Sequence, residues 1–152
     1  MSNNNEGQTT ALYDALQLRN QLCFPLYACS REVIKQYKPV LDEIGLTYTQ
    51  YITMMVLWED RSLTAKELGK RLFLDSGTLT PLLKRLEGKG LLSRRRDPMD
   101  ERSLLVTITP EGDALKETAR KIPCQMAGKT PLSPEETETL NNLLFKLLTP
   151  AE

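Results

Sequence analysis

Leu74-Asp75-Ser76-Gly77-Thr78-Leu79-Thr80-Pro81-Leu82-Leu83-Lys84-Arg85-Leu86-Glu87 reads as a polar break followed by a short helix. The helix runs from about Thr78 to Glu87 and is ended by Gly88 and Gly90. Pro81 is expected in its first turn, where a missing N–H is tolerated. Upstream, Thr64-x-x-Glu67 is a capping box: hydroxyl and carboxylate each satisfy a backbone donor, opening a short helix to about Phe73. Downstream, Leu91-Leu92-Ser93-Arg94-Arg95-Arg96 looks extended, and Ser103-Leu104-Leu105-Val106-Thr107-Ile108 carries β-branched residues that favour a strand. Between them Asp97-Pro98-Met99-Asp100-Glu101-Arg102 is polar and turn-rich, so the two runs make a hairpin with a charged tip.

Two short helices and then a charged hairpin is the layout of a winged helix-turn-helix. A short helix with hydroxyls and bases near its start can enter a DNA major groove, while the hairpin tip reaches the neighbouring minor groove or backbone. Here the helix offers Ser76, Thr78, Thr80, Lys84 and Arg85, and the hairpin offers Arg94, Arg95, Arg96 and Arg102. The charge agrees. Residues 61–102 hold 11 basic and 6 acidic side chains, a net of +5, in a chain whose 20 basic and 20 acidic residues cancel. A charge cluster alone is as often a solvated face; its coincidence with the winged unit points to a polyanion partner, double-stranded DNA. Neighbours on a strand point to opposite sides, so Arg94, Arg95 and Arg96 cannot all face DNA. One such unit reads few base pairs, so specificity calls for a two-fold homodimer.

The rest of the composition excludes more than it selects. At 152 residues and 40% apolar the chain is one domain able to bury its own core. It has no histidine, which removes Ser-His-Asp, Cys-His and His-ligated zinc chemistry. No catalytic constellation, metal site or cofactor is implied. No apolar run approaches a membrane span, and residues 1–10 lack the basic and apolar regions of a signal peptide, so a cytoplasmic protein without membrane contact is expected.

Around the winged unit, assigned to residues 61–109, lie helical segments. From Leu12 to about Leu41 the pattern is helical, with Leu16, Cys23, Tyr27, Ser30, Ile34 and Tyr37 sharing a face. Pro25 lies inside it, so the helix either kinks or starts near Leu22. A start there would turn free N–H groups toward Cys23 and favour its anion, with Arg19 one turn earlier. Gly45 marks a stop, and Thr47-x-x-Gln50 opens a helix to roughly Glu59 rich in Tyr51, Met55 and Trp58; Met54, Met55 and Trp58 are read as core or as walls of an apolar site. Thr109-Pro110 starts a helix to about Ile122, and Ser133-Pro134-x-Glu136 caps a last one striped by Leu140, Leu143, Leu144, Leu147 and Leu148. Residues 12–45 and 110–148 are the natural dimerisation elements. The expected fold is mainly α with a small β-hairpin wing.

The stretch 74–87, followed by Asp100-Glu101-Arg102-Ser103, resembles the MarR family of dimeric winged-helix regulators. Gln21-Leu22-Cys23-Phe24, Leu26-Tyr27-Ala28, Gln36-Tyr37-Lys38-Pro39 and Leu46-Thr47-Tyr48 resemble its organic-hydroperoxide-sensing branch, the OhrR type. The resemblance covers residues 12–148. It implies a repressor released from operator DNA when Cys23 is oxidised by organic hydroperoxides. It further implies that Tyr27 lines the thiol site, that Tyr37 and Tyr48 hydrogen-bond the thiolate from the other subunit, and that Arg102 is the wing-tip arginine with Asp100 as its orienting partner. The helix gives this physical sense: Tyr37, 14 residues after Cys23, lies ~21 Å along a continuous helix and cannot reach its own sulfur. An antiparallel partner could bring it there.

Thiolate oxidation yields a sulfenic acid that condenses with another thiol or oxidises further. Cys124 is a candidate resolving cysteine, although it directly follows Pro123 and does not match the branch's usual position; a low-molecular-weight thiol is the alternative. Cys29, at i+6 from Cys23, is read as core filler. Three other readings stay open: a regulator with a silent Cys23 induced by a small aromatic ligand, a sensor of general thiol stress, and a thiol peroxidase. Against the last, no thioredoxin-like pattern or CxxC is present.

Overall fold

A computed structural model describes residues 12–149; the amino-terminal stretch read for a signal peptide lies outside them. The chain divides into two compact units, 1–119 and 120–152. The first contains α1 (Cys23–Asp42), α2 (Tyr48–Asp60), β1 (Ser62–Thr64), α3 (Ala65–Leu72), α4 (Ser76–Gly88), β2 (Leu92–Asp97), β3 (Asp100–Ile108) and α5 (Pro110–Ala119). The second contains α6 (Ile122–Ala127) and α7 (Pro134–Leu148). Among the described residues no helix is long and apolar enough to cross a membrane.

Local sequence accounts for most boundaries. Capping boxes open α2 at Thr47/Gln50, α3 at Thr64/Glu67 and α7 at Ser133/Glu136, each with both reciprocal bonds formed. The expected helix from Leu12 to Leu41 is not continuous. Residues 12–15 are helical, Leu18–Asn20 form a 3-10 turn, and α1 begins at Cys23. Pro25 supplies the reason: as the third residue of α1 it needs no intrahelical N–H bond.

Four further features depart from the sequence reading. β1 is an additional strand, pairing antiparallel with β3 (Leu63 opposite Val106) to give the order β1-β3-β2. α4 starts at Ser76, not Thr78, because Asp75 caps it by accepting the Thr78 N–H at 2.9 Å. Pro81 therefore sits inside α4, past its first turn. The hairpin turn is shorter than expected, since Asp100, Glu101 and Arg102 already belong to β3, with an irregularity at Arg96/Asp97. The helix after Thr109 stops at Ala119, and Ile122–Ala127 is a separate element bearing Pro123 and Cys124.

The core of the first unit is formed by Leu41, Leu46, Tyr51, Met54, Leu57 and Trp58 with Leu68, Leu79, Leu83, Leu86, Leu92 and Val106. This packing sets α3 and α4, joined by Phe73-Leu74-Asp75, beside the hairpin. Cys29 is exposed, which corrects its reading as core filler, and Met55 is exposed, which removes the core alternative of its reading. At Gly112 a Cβ would meet the Leu91 carbonyl oxygen at 2.0 Å, and the Gly112 carbonyl accepts the Trp58 indole N–H at 2.8 Å. Only glycine allows that approach. Apolar side chains also remain outside: Leu16, Leu18, Leu22 and Phe24 around the start of α1, and Leu140, Leu143, Phe145 and Leu147 on α7, are all exposed.

Candidate nucleic-acid interface and thiol site

α4 and the hairpin hold the residues expected to meet DNA. Ser76, Thr78, Thr80, Lys84 and Arg85 are exposed on α4. The Thr78 hydroxyl donates to Asp75 Oδ2 and the Thr80 hydroxyl to the Ser76 carbonyl, both at 2.8 Å, which fixes their rotamers and leaves their oxygens as acceptors. The Thr78 hydroxyl and backbone N–H, both donating to Asp75, hold its carboxyl below the usual range. In the wing, Asp100 does not hold the Arg102 guanidinium. It accepts the Arg102 backbone N–H at 3.1 Å and the Ser103 hydroxyl at 2.8 Å, so it shapes the strand's start and leaves the exposed arginine side chain outward. Arg96 donates to the Glu101 carbonyl at 3.2 Å.

Several bases of the positive third are engaged internally. Arg94 is half-buried against Glu87, donating from Nε at 3.0 Å, from Nη2 at 2.6 Å and from its backbone N–H at 2.9 Å. It fastens β2 to the end of α4. Arg61 pairs with Asp113, and Arg71 with Glu59 and Asp60. Lys89 donates to the Gly45 carbonyl and, at 3.2 Å, to Gln50 Oε1, linking the end of α4 to the turn before α2. Sequence reading missed these pairings because each joins different elements, outside the i,i+3 and i,i+4 spacings of a single helix. Lys66, Lys70, Lys84, Arg85, Arg95 and Arg102 stay exposed.

The Arg94 pair makes stability pH-dependent. Its hydrogen bonds hold the Glu87 carboxyl below the ordinary glutamate range. A carboxylate depressed on folding contributes stability that is complete above the unfolded value, about 4.3, and is lost as pH falls through the lower folded one. Glu87→Gln is therefore expected to flatten the melting-temperature profile below about pH 4.3; parallel profiles for both proteins would show the pair has no such role.

Cys23 is the first residue of α1 and is exposed. Tyr27, one turn on, accepts a hydrogen bond from Arg31 Nη1 at 2.7 Å. Tyr37 lies on the same α1, towards its other end, and packs edge-on against Tyr48 with ring centroids 5.1 Å apart. Tyr51 stands 6.2 Å from Tyr37. Burial, and secondarily the Tyr48 phenol, push the Tyr37 hydroxyl above its usual value, which keeps it a proton donor. One chain thus brings Tyr37 and Tyr48 together, and sets Cys23 about 21 Å and Tyr27 about 15 Å away from Tyr37 along the helix. Cys124 is exposed on α6 in the other unit. Arg31 escaped the sequence reading, although its i+4 spacing from Tyr27 was the available signal.

The family model for the transcriptional regulator SarA/Rot matches residues 35–119. The organic hydroperoxide resistance transcriptional regulator of Bacillus subtilis is 50% identical over 136 residues, covering 90% of this chain and 92% of the relative. Among solved structures, reduced AbfR bound to DNA superposes with a TM-score of 0.76 at 34% identity, over 91% of this chain and 96% of that one. Overoxidised AbfR bound to DNA gives 0.74 at 35% identity, over 89% and 95%; AbfR is a protein of Staphylococcus epidermidis. With a helix-turn-helix, a charged wing and a cysteine opening the helix that carries Tyr37, the chain belongs to the MarR-type winged-helix transcriptional regulators, in the organic-hydroperoxide-sensing OhrR branch.

Proposed function

We propose that this regulator is a homodimeric repressor that binds operator DNA while Cys23 is reduced and leaves it when organic hydroperoxides oxidise Cys23. The observation that carries this reading is the arrangement of α1: the thiol at one end, the Tyr37–Tyr48 pair at the other. A two-fold partner laying its α1 antiparallel supplies each Cys23 with the other chain's phenols, and phenolic donors stabilise a thiolate without histidine. The exposed apolar side chains around the start of α1 and along α7 support such a partner, since apolar patches of this kind mark interfaces. Residues 12–45 and 110–148 are thus assigned to dimerisation.

In the chemical step the Cys23 thiolate attacks the distal peroxide oxygen. An S–O bond forms, the O–O bond breaks, sulfur is oxidised by two electrons, and the alkoxide leaves as an alcohol after taking a proton. The sulfenic acid then condenses with a thiol, either Cys124 or a small cellular thiol, forming a disulfide and releasing water. AbfR sits on DNA in both a reduced and an overoxidised form. The condensed disulfide, bulkier than added oxygens, is therefore the releasing species proposed here.

On DNA, α4 occupies the major groove through Ser76, Thr78, Thr80, Lys84 and Arg85, and the wing places Arg96 and Arg102 on the flanking groove. Arg94 acts from behind through Glu87, and Asp100 by shaping the wing backbone. Lys84→Ala is expected to weaken operator binding by about 1–3 kcal/mol in a fluorescence anisotropy titration. Unchanged affinity would displace α4 as the reading helix.

Shared sites are tested by mixing chains. Cys23→Ser protein and Tyr37→Phe/Tyr48→Phe protein each lack a complete site as homodimers. If the site is shared, their heterodimer regains one complete site and reacts with cumene hydroperoxide at the wild-type rate. Reaction at the rate of the Tyr37→Phe/Tyr48→Phe homodimer would place the phenols elsewhere.

A further inference from the structure

Peroxide reduction at a thiolate leaves an alkoxide, a base far stronger than any carboxylate, and its departure is slow unless a proton arrives with it. The chain has no histidine to deliver one. The first turn of α1 has no acidic residue, and Glu32, further along α1, pairs with Lys35. Tyr27 stands one turn from Cys23, at the i+4 spacing that makes helix side chains neighbours. Its oxygen accepts Arg31 Nη1 at 2.7 Å, and the guanidinium carbon lies 5.4 Å from the ring centroid. The phenol's own O–H has no acceptor among the described residues, and Arg31 forms no ion pair there.

We propose that Tyr27 is the proton donor to the leaving alkoxide and that Arg31 is its positioning residue. Arg31 occupies a lone pair of the phenol oxygen, which turns the O–H away from the guanidinium and toward the Cys23 end of the helix. As the O–O bond breaks, the Tyr27 proton passes to the alkoxide, giving the alcohol. The positive charge beside Oη stabilises the negative charge left on the phenol until solvent returns a proton. The division of labour is then complete: Tyr37 and Tyr48 of the partner subunit hold the sulfur, and Tyr27 serves the departing oxygen. This rests on the reading of Cys23 as the reactive thiol.

The test compares two oxidants that differ in their need for a proton. Cumene hydroperoxide expels an alkoxide; peracetic acid expels acetate, a stable leaving group that needs none. Second-order rates of sulfenic acid formation are read by quenched-flow intact mass for wild type, Tyr27→Phe, Arg31→Gln and Arg31→Lys. Tyr27→Phe is expected to slow the cumene hydroperoxide reaction about 100-fold and Arg31→Gln about 10-fold, with Arg31→Lys recovering part of that loss. Peracetic acid rates should stay within about threefold of wild type in every variant, because the thiolate attack itself is untouched. Equal slowing with both oxidants would overturn the proposal by assigning the pair to thiol placement, and unchanged rates with both would remove it from the reaction. Wild type inert to both oxidants would instead overturn the reading of Cys23.

Discussion

Cys23→Ser protein is expected to bind the operator within a few-fold of wild type and to stay bound at any concentration of cumene hydroperoxide. Serine keeps the shape of the first residue of α1, and Cys23 is exposed there, so the fold of the reduced chain is expected to be undisturbed. What it lacks is a nucleophile that can form an S–O bond. Wild type should lose about 10–100-fold in affinity on oxidation in the presence of a small thiol, a coupling free energy of about 1–3 kcal/mol, the usual range for a signal passed between separate sites. The route is short. Tyr48 begins α2 directly after its cap Thr47, and Gln50, which completes that cap, also accepts from Lys89 at the end of α4. A displaced Tyr48 therefore disturbs the turn on which the end of α4 is fastened. Full induction of the serine variant would return the protein to a regulator with a silent thiol, triggered by a bound small molecule.

Arg102→Ala is expected to weaken operator binding by about 1–3 kcal/mol and to lower the salt slope by about one. The geometry isolates this residue. Its backbone is held by Asp100 at 3.1 Å, its side chain is exposed on the wing, and its guanidinium has no ion pair among the described residues. Removing it deletes a charge aimed outward and leaves the hairpin intact. Arg94→Ala is the informative contrast. Arg94 carries the same charge on the same hairpin but is bound to Glu87, so its loss should lower stability and leave the salt slope near that of wild type. If the two variants exchanged these effects, the wing assignment would be reversed.

Much of this was legible in the sequence where the interactions are local. The boxes at Thr47/Gln50, Thr64/Glu67 and Ser133/Glu136 span four residues, and each formed. Pro25 signalled the helix start beside Cys23. β1 was illegible because Ser62-Leu63-Thr64 becomes a strand only by pairing with β3, more than forty residues on. The start of α4 was misplaced because Ser76 and Gly77 are weak helix formers, and the Asp75 cap outweighs them. At the site, Cys23, Tyr27, Tyr37 and Tyr48 were singled out by the family resemblance, while helix spacing alone showed only that Tyr37 cannot reach its own Cys23. The Arg31–Tyr27 bond and the withdrawal of Arg94 from the charged face needed coordinates, because a list of charges does not say which are already paired.

The most direct test titrates reduced, operator-bound protein with substoichiometric steps of cumene hydroperoxide in the presence of a small thiol, and reads DNA occupancy and cysteine-resolved mass in the same samples. The account predicts that occupancy falls in proportion to disulfide formed at Cys23, while Cys29 stays reduced throughout. Release of DNA while the Cys23 peptide remains an unmodified thiol would contradict it.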